Sequence, residues 1–383
     1  MSRPLRADID LDALRHNYQL ACELAPHSRA LAVIKADAYG HGAVACAQAL
    51  ADLAPAFAVA TIEEALALRA GGISHPIVLL EGVFEAAEYA LAAEHDFWCA
   101  IHSEWQLAAL EQSELAQPLS CWIKFDSGMH RLGFTVEQVL DAKARLEACG
   151  KARDLHLMTH FASADSLTPD YFQQQMAAVT ALAAEAELPL CLANSPATLA
   201  WPETHAAWNR PGIMLYGADP LEGANDASRR LKPVMTLSSA IIAVREIAIG
   251  EPVGYSGRFV ATRPTRIGVV ACGYGDGYDR HAVDGTPVLV DGQETVLAGK
   301  VSMDMLTVDI TDLPEAGVGS RVVLWGEGLE VNRVAASCDT ISYTLLTGLL
   351  PRVPRHYHGG VGSAADDQGV AQLASAQPLD THA

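Results

Sequence analysis

The chain is 383 residues long, half of them hydrophobic, with a formal net charge of −20; that length predicts roughly two to three domains, or one large barrel with an addition. An acidic balance with pI near 5.0 excludes nucleic acid as a partner, because phosphate binding needs a basic surface. The opening segment holds Asp8, Asp10 and Asp12 and no apolar stretch fit for a signal peptide, no apolar run nears the ~18 residues of a membrane span, and the eight scattered cysteines form no CxxC pair, so the expectation is a reduced, cytoplasmic, globular protein with no metal.

Up to residue 231, short apolar runs alternate with Ala-, Leu- and Glu-rich stretches. Runs at 31–35, 56–60, 76–80, 97–101, 120–125, 155–160, 189–193 and about 206–210 read as buried parallel strands. Stretches such as Thr61–Ala70 and Ser103–Leu110 have helical spacing. Parallel strands need crossover connections, and eight such units close into a barrel. The predicted fold class is α/β: a (β/α)8 TIM-type barrel over residues 1–231, its first few residues free to pair with the second domain. From Lys232 the pattern changes. Runs at Arg266–Ala271, Thr286–Val290 and Arg321–Trp325 are broken by turns such as Asp291-Gly292, which predicts a mostly antiparallel β domain over 232–360. Helical patches fall around Val331–Ser337 and Tyr343–Leu350. Residues 361–383, poor in aromatics and rich in Ala, Ser, Asp and Gln, read as a flexible tail.

Catalytic residues of such barrels project from the C-terminal ends of the strands. Lys35 ends the first predicted strand, in AVIKADAYGHG. Lys124, Asp126 and Arg131 lie at and beyond the fifth, in CWIKFDSGMHRLGF. His160 closes the sixth, Asn194 and Ser195 end the seventh, and Arg210 and Gly212 follow the eighth. A lysine amine held in a dry barrel mouth loses proton affinity and can form a Schiff base; a lysine snorkelling off a strand end is the bland alternative. RPGI at 210–213 offers a glycine-permitted turn whose N–H groups can face an anion beside the Ser195 hydroxyl. GYGDGY at 273–278 lacks both the GxGxxG spacing and a following helix, so it is not a dinucleotide loop.

Taken in order, AVIKADAYGHG, IKFDSGMHRLGF, THFASAD, NRPGIMLYG, VGYSGRF, GYGDGYDR, VSMDM and SYTLLTGLLPRVPR make the chain resemble the alanine racemases over about residues 3–357. The resemblance implies that Lys35 carries pyridoxal 5′-phosphate as a Schiff base and moves a proton on one face of the substrate. It gives the opposite face to Tyr255. A free tyrosine titrates near ~10 and needs cationic or hydrogen-bonding neighbours to act as a base; the resemblance supplies His160 and Arg210. It assigns the cofactor phosphate to Tyr39, Ser195, Gly212, Ile213 and Tyr343, and the pyridine nitrogen to Arg210. Arg131 would meet the substrate carboxylate, oriented by Lys124, which is carbamylated in many relatives; an unmodified lysine is the alternative. Met303, Asp304 and Tyr274 would come from the other subunit of a head-to-tail homodimer. The implied reaction interconverts L- and D-alanine, for peptidoglycan or for D-alanine breakdown. A broad-specificity racemase and a fold-related pyridoxal-dependent decarboxylase are the rival enzymes. A lone-barrel carrier of the cofactor is the non-catalytic rival, and the β domain and Tyr255 argue against it.

Overall fold

The computed structural model describes residues 3–166 and 170–360; the predicted tail at 361–383 lies outside the described residues. Strand β1 (Arg6–Asp10) comes first and stays out of the barrel. Asp10 then caps the helix Leu11–Leu24, its carboxylate accepting the N–H groups of Asp12 and Ala13 at 2.9 Å.

Eight parallel strands close the barrel: β2 (Arg29–Val33), β3 (Ala56–Val59), β4 (Ile77–Leu79), β5 (Phe97–Ile101), β6 (Leu119–Lys124), β7 (Ala152–Met158), β8 (Leu190–Cys191) and β9 (Trp208–Asn209). All eight expected strands exist, and several end earlier than their apolar runs do. Lys35 and His160 are not strand residues but lie two positions beyond β2 and β7, because the backbone leaves the ladder at Val33 and Met158. Asn194 and Ser195 do not end a strand either: Asn194 caps the helix Ser195–Ala200. Inside the barrel, Trp122 stacks on His156 with ring centroids 4.6 Å apart, and Trp98 meets Trp208 edge-on at 5.7 Å. Residues two apart on a strand share a face, so Lys124 rises directly above Trp122 at the C-terminal mouth.

Between residues 235 and 358 the described residues form the expected mostly antiparallel β domain. Its strands are β10 (Met235–Ile247), β11 (Pro252–Val253), β12 (Phe259–Val260), β13 (Thr265–Val270), β14 (Pro287–Val290), β15 (Gln293–Leu297), β16 (Leu306–Asp309), β17 (Arg321–Trp325) and β18 (Arg355–His358). The order β13-β16-β15-β14-β17-β10-β1-β18 curls back on itself. The long strand β10 pairs with β1 and β17 through its first half and with β13 through its second, where the register shifts between Ile241 and Ala243. β11 and β12 form a separate two-stranded ribbon that carries the loop of Tyr255.

Asn17 ties these parts together. It is fully buried on the first helix; its amide donates to the carbonyls of Leu215 and Lys232 at 3.0 and 2.8 Å, and its oxygen accepts from Lys232 N–H at 2.9 Å. Removing it leaves the buried Leu215 carbonyl and the part-buried carbonyl and N–H of Lys232 without this partner. Asn17→Ala is expected to lower the free energy of unfolding by about 3 kcal/mol, read by urea denaturation.

Candidate active site

A cavity of about 580 Å³ opens at the C-terminal mouth of the barrel. It gathers Lys35, Tyr39, Lys124, Arg131, His160, Ser195, Arg210, Gly212, Ile213 and Tyr343, with Asn194 at its edge. Sequence reasoning did not single out Glu81 and Thr159, which also line it. Four cationic side chains face a single carboxylate, that of Glu81. An anion entering this mouth is therefore met by uncompensated positive charge.

Lys35 owes its position to an unusual turn. The four residues after it, Ala36 to Tyr39, all have φ between 51 and 53°, a left-handed helical turn built without glycine. Such backbone costs on the order of 1 kcal/mol or more per residue and must be held by its surroundings. Glu64 accepts the Ala36 N–H at 2.6 Å, and the Asp37 carboxylate accepts the Ala43 N–H at 2.8 Å. The fully buried His41 donates from Nδ1 toward the carbonyls of Ala38 and Tyr39, both 3.0 Å away, and stacks on Tyr216. Glu64 also belongs to the capping box opened by Thr61. That T-x-x-E pattern is readable as a helix start, but its link to Lys35 is not.

Arg210 is buried and almost fully engaged. Its Nη1 donates to the Cys191 carbonyl at 2.7 Å and to its Sγ at 3.1 Å, and its Nη2 to the carbonyls of Thr159 and Leu192 at 2.5 and 3.2 Å. Nε has no partner among the described residues. Ser195 Oγ accepts the N–H groups of Gly212 and Met214 at 2.8 and 3.3 Å, which leaves its own proton free to donate. A Cβ at position 212 would stand 2.7 Å from the Tyr39 hydroxyl, so only glycine lets that phenol close over the turn.

The electrostatics follow from burial and crowding of like charge. Burial, then Arg210 and Arg131, bring the Lys124 amine down to about 8, with Glu81 opposing. Burial and the four cations hold the His160 imidazole well below its ordinary range. Burial raises Tyr39 to about 12 and raises Tyr343 as well, so both remain phenol donors. Asp126 is spent elsewhere, accepting the N–H groups of Gly128 and His130 at 3.0 Å.

Tyr255, Tyr274, Met303 and Asp304 do not reach this cavity. They lie on the β domain, with Tyr255 63% and Met303 54% exposed.

Two family profiles cover nearly the whole chain: "Alanine racemase, N-terminal domain" matches residues 9–220 and "Alanine racemase, C-terminal domain" matches residues 234–357. The alanine racemase of Chromohalobacter salexigens is 69% identical over 358 residues, 93% of this chain and 98% of the relative. The chain belongs to the alanine racemase family. Like its named relatives it is an isomerase. A catabolic alanine racemase of Pseudomonas aeruginosa is 56% identical, over 93% of this chain and 99% of its own. Among solved structures, the biosynthetic alanine racemase of the same organism superposes with a TM-score of 0.91 at 49% identity, covering 93% of this chain and all of the other. An alanine racemase from Bartonella henselae with covalently bound pyridoxal phosphate has a TM-score of 0.84 at 29% identity, over 93% of this chain and 99% of that one. The cationic mouth is thus a property of an alanine racemase barrel, and it makes a direct prediction. His160 should stay neutral well below the usual titration range of histidine; ¹⁵N chemical shifts of its ring should not move between about pH 8 and 5.

Proposed function

We propose that the chain interconverts L- and D-alanine with pyridoxal 5′-phosphate attached at Lys35. The observation that carries this reading is a lysine in the wall of a cavity with three further cations, one carboxylate and the Ser195 hydroxyl, whose own proton is free to meet an anion. These residues fit the cofactor. Tyr39, Tyr343, Ser195 and the N–H groups at Gly212 and Ile213 would hold its phosphate, and the unpartnered Nε of Arg210 would face its ring nitrogen. When bound, the group supplies electron withdrawal that acidifies the substrate Cα–H. The fixed Arg210 cation at the ring nitrogen would moderate that withdrawal and so favour return of the proton to Cα.

In this reading Lys35 Nζ takes or returns the Cα proton on one face and the Tyr255 hydroxyl on the other. Tyr255 is exposed in one copy, so the site would be completed head-to-tail by the Tyr255, Tyr274, Met303 and Asp304 of a second. Arg131 binds the substrate carboxylate and Lys124 orients it. His160, kept neutral, can accept a hydrogen bond beside Arg210. The two family profiles meet between residues 220 and 234, which supports a barrel ending near 231 and a β domain following it. Both D-alanine supply for peptidoglycan and D-alanine breakdown are compatible with this chemistry. The site would work in the cytoplasm, where free D-alanine meets either fate.

Incubation with L-alanine in deuterated water should yield D-alanine deuterated at Cα; ethylamine and carbon dioxide would instead indicate decarboxylation. Lys35→Ala should lose cofactor colour and activity together. Tyr255→Phe should keep the colour and lose proton abstraction from one enantiomer preferentially; normal racemisation by that variant would remove the second base. Lysine carbamylation needs the neutral amine, whose share grows as pH rises through about 8 at Lys124. With ¹³C-bicarbonate, a carbamate signal should therefore strengthen as pH is raised through that value and be missing in Lys124→Arg.

A further inference from the structure

The GYGDGY segment has no part in the cavity, yet its geometry is tightly specified. Asp276 is fully buried and accepts two arginines that lie 349 positions apart, near the two limits of the described residues. Arg3 donates to it bidentately, at 2.6 and 2.7 Å, and Arg352 donates from Nε at 2.6 Å. Its second oxygen also accepts the Gly273 N–H at 2.9 Å. Burial alone would raise this carboxyl, but Arg3, the Gly273 N–H and Arg352 outweigh it and hold the group below its ordinary value.

Both arginines reach on to the neighbouring turn. Arg352 Nη2 meets the Asp304 carboxylate at 2.5 Å, and Arg3 Nη2 donates to the Asp304 carbonyl at 3.2 Å. The backbones are zipped as well: Tyr274 N–H to the Ser302 carbonyl at 3.0 Å, and Gly275 N–H to the Met303 carbonyl at 2.7 Å. A Cβ at Gly273 would stand 2.3 Å from the Ser302 carbonyl oxygen and 2.4 Å from that of Met303. Gly273 and Gly275 let the two turns touch, while Gly277 packs instead on the Gly348 carbonyl. Tyr274 and Met303 nevertheless stand exposed on the joined surface, 37% and 54%.

We infer that Arg3, Asp276 and Arg352 are positioning residues that lock the 273–277 and 302–305 turns into one rigid wall, and that this wall restricts the substrate to amino acids with the smallest side chains. The inference rests on the proposed head-to-tail assembly, in which Tyr274, Met303 and Asp304 close the site of a second copy. A wall tied by one bidentate fork, Arg3 on Asp276, and by Arg352 bridging the carboxylates of Asp276 and Asp304 resists displacement, because charged donors and acceptors held in this geometry are costly to separate. A loosened wall would admit a larger side chain while aligning a small one less well.

Asp276→Asn removes the hub and risks the fold, so Arg3→Met and Arg3→Lys are the informative variants. Steady-state kinetics on alanine and serine should show Arg3→Met raising KM for alanine about fivefold, more than it lowers kcat. The kcat/KM ratio of serine to alanine should rise at least about threefold, with Arg3→Lys partly restoring both. Amide hydrogen exchange at residues 302–305 should quicken in Arg3→Met at unchanged cofactor absorbance. Wild-type KM and substrate ratio in Arg3→Met would overturn the specificity role, and unchanged exchange would overturn the clamp itself. If the wild-type protein racemises neither amino acid, the proposed reaction and the specificity role fall together, and exchange alone decides whether the clamp exists.

Discussion

Crowding of positive charge at one end of an apolar barrel is the constraint that organises this molecule. Lys35, Lys124, Arg131 and Arg210 share a mouth with one carboxylate, above an interior filled by Trp98, Trp122, His156 and Trp208. Withdrawing cations from water is costly unless each is paired or hydrogen-bonded. The chain meets the cost in two ways. Arg210 is satisfied by carbonyls from the ends of β7 and β8, which fix its plane. Lys124 gives up proton affinity instead. What remains is a field that an anionic cofactor and a carboxylate substrate would satisfy, and burial together with that field keeps His160 neutral.

Precision in that mouth depends on strain held in place from outside it. The left-handed turn after Lys35 would not persist in an isolated peptide. It persists here because Glu64 captures the Ala36 N–H, His41 captures the Ala38 and Tyr39 carbonyls, the Asp37 carboxylate reaches the Ala43 N–H, and Tyr39 is packed against Tyr216 with ring centroids 4.8 Å apart. Helix, strand end and aromatic stack thus converge on the position of one amine. The β domain uses the same device on a different scale: Asp276 joins two chain ends to two turns, and exposed side chains acquire fixed places through buried charge.

Much of this was legible along the chain. The alternation of apolar runs and helical stretches marked all eight barrel strands, since a strand buried on both faces must be apolar throughout. The Thr61 and Ser103 helix starts were within a residue of their observed places. Motif order identified the family, and ten of the residues it singled out do line one cavity. Strand ends were less legible. Lys35, His160 and Asn194 sit past the ladder because hydropathy does not register where hydrogen bonding stops. Glu81 and Thr159 were missed because an isolated acidic or hydroxyl residue carries no periodic signal. The pairing of Arg3 with Asp276, 273 positions apart, had none either.

The sequence by itself determined the two architectures, the family, and which lysine and arginines sit at the barrel mouth, because hydrophobic period and motif order are local properties of the chain. Only the tertiary structure decided how those cations are compensated, which backbone is strained, and that Tyr255, Tyr274, Met303 and Asp304 stand outside the cavity of their own copy. Those outcomes depend on distances between segments far apart in sequence, and GYGDGY shows the difference: a motif that excluded one function when read alone became, once folded, the joint between two turns and both ends of the described chain.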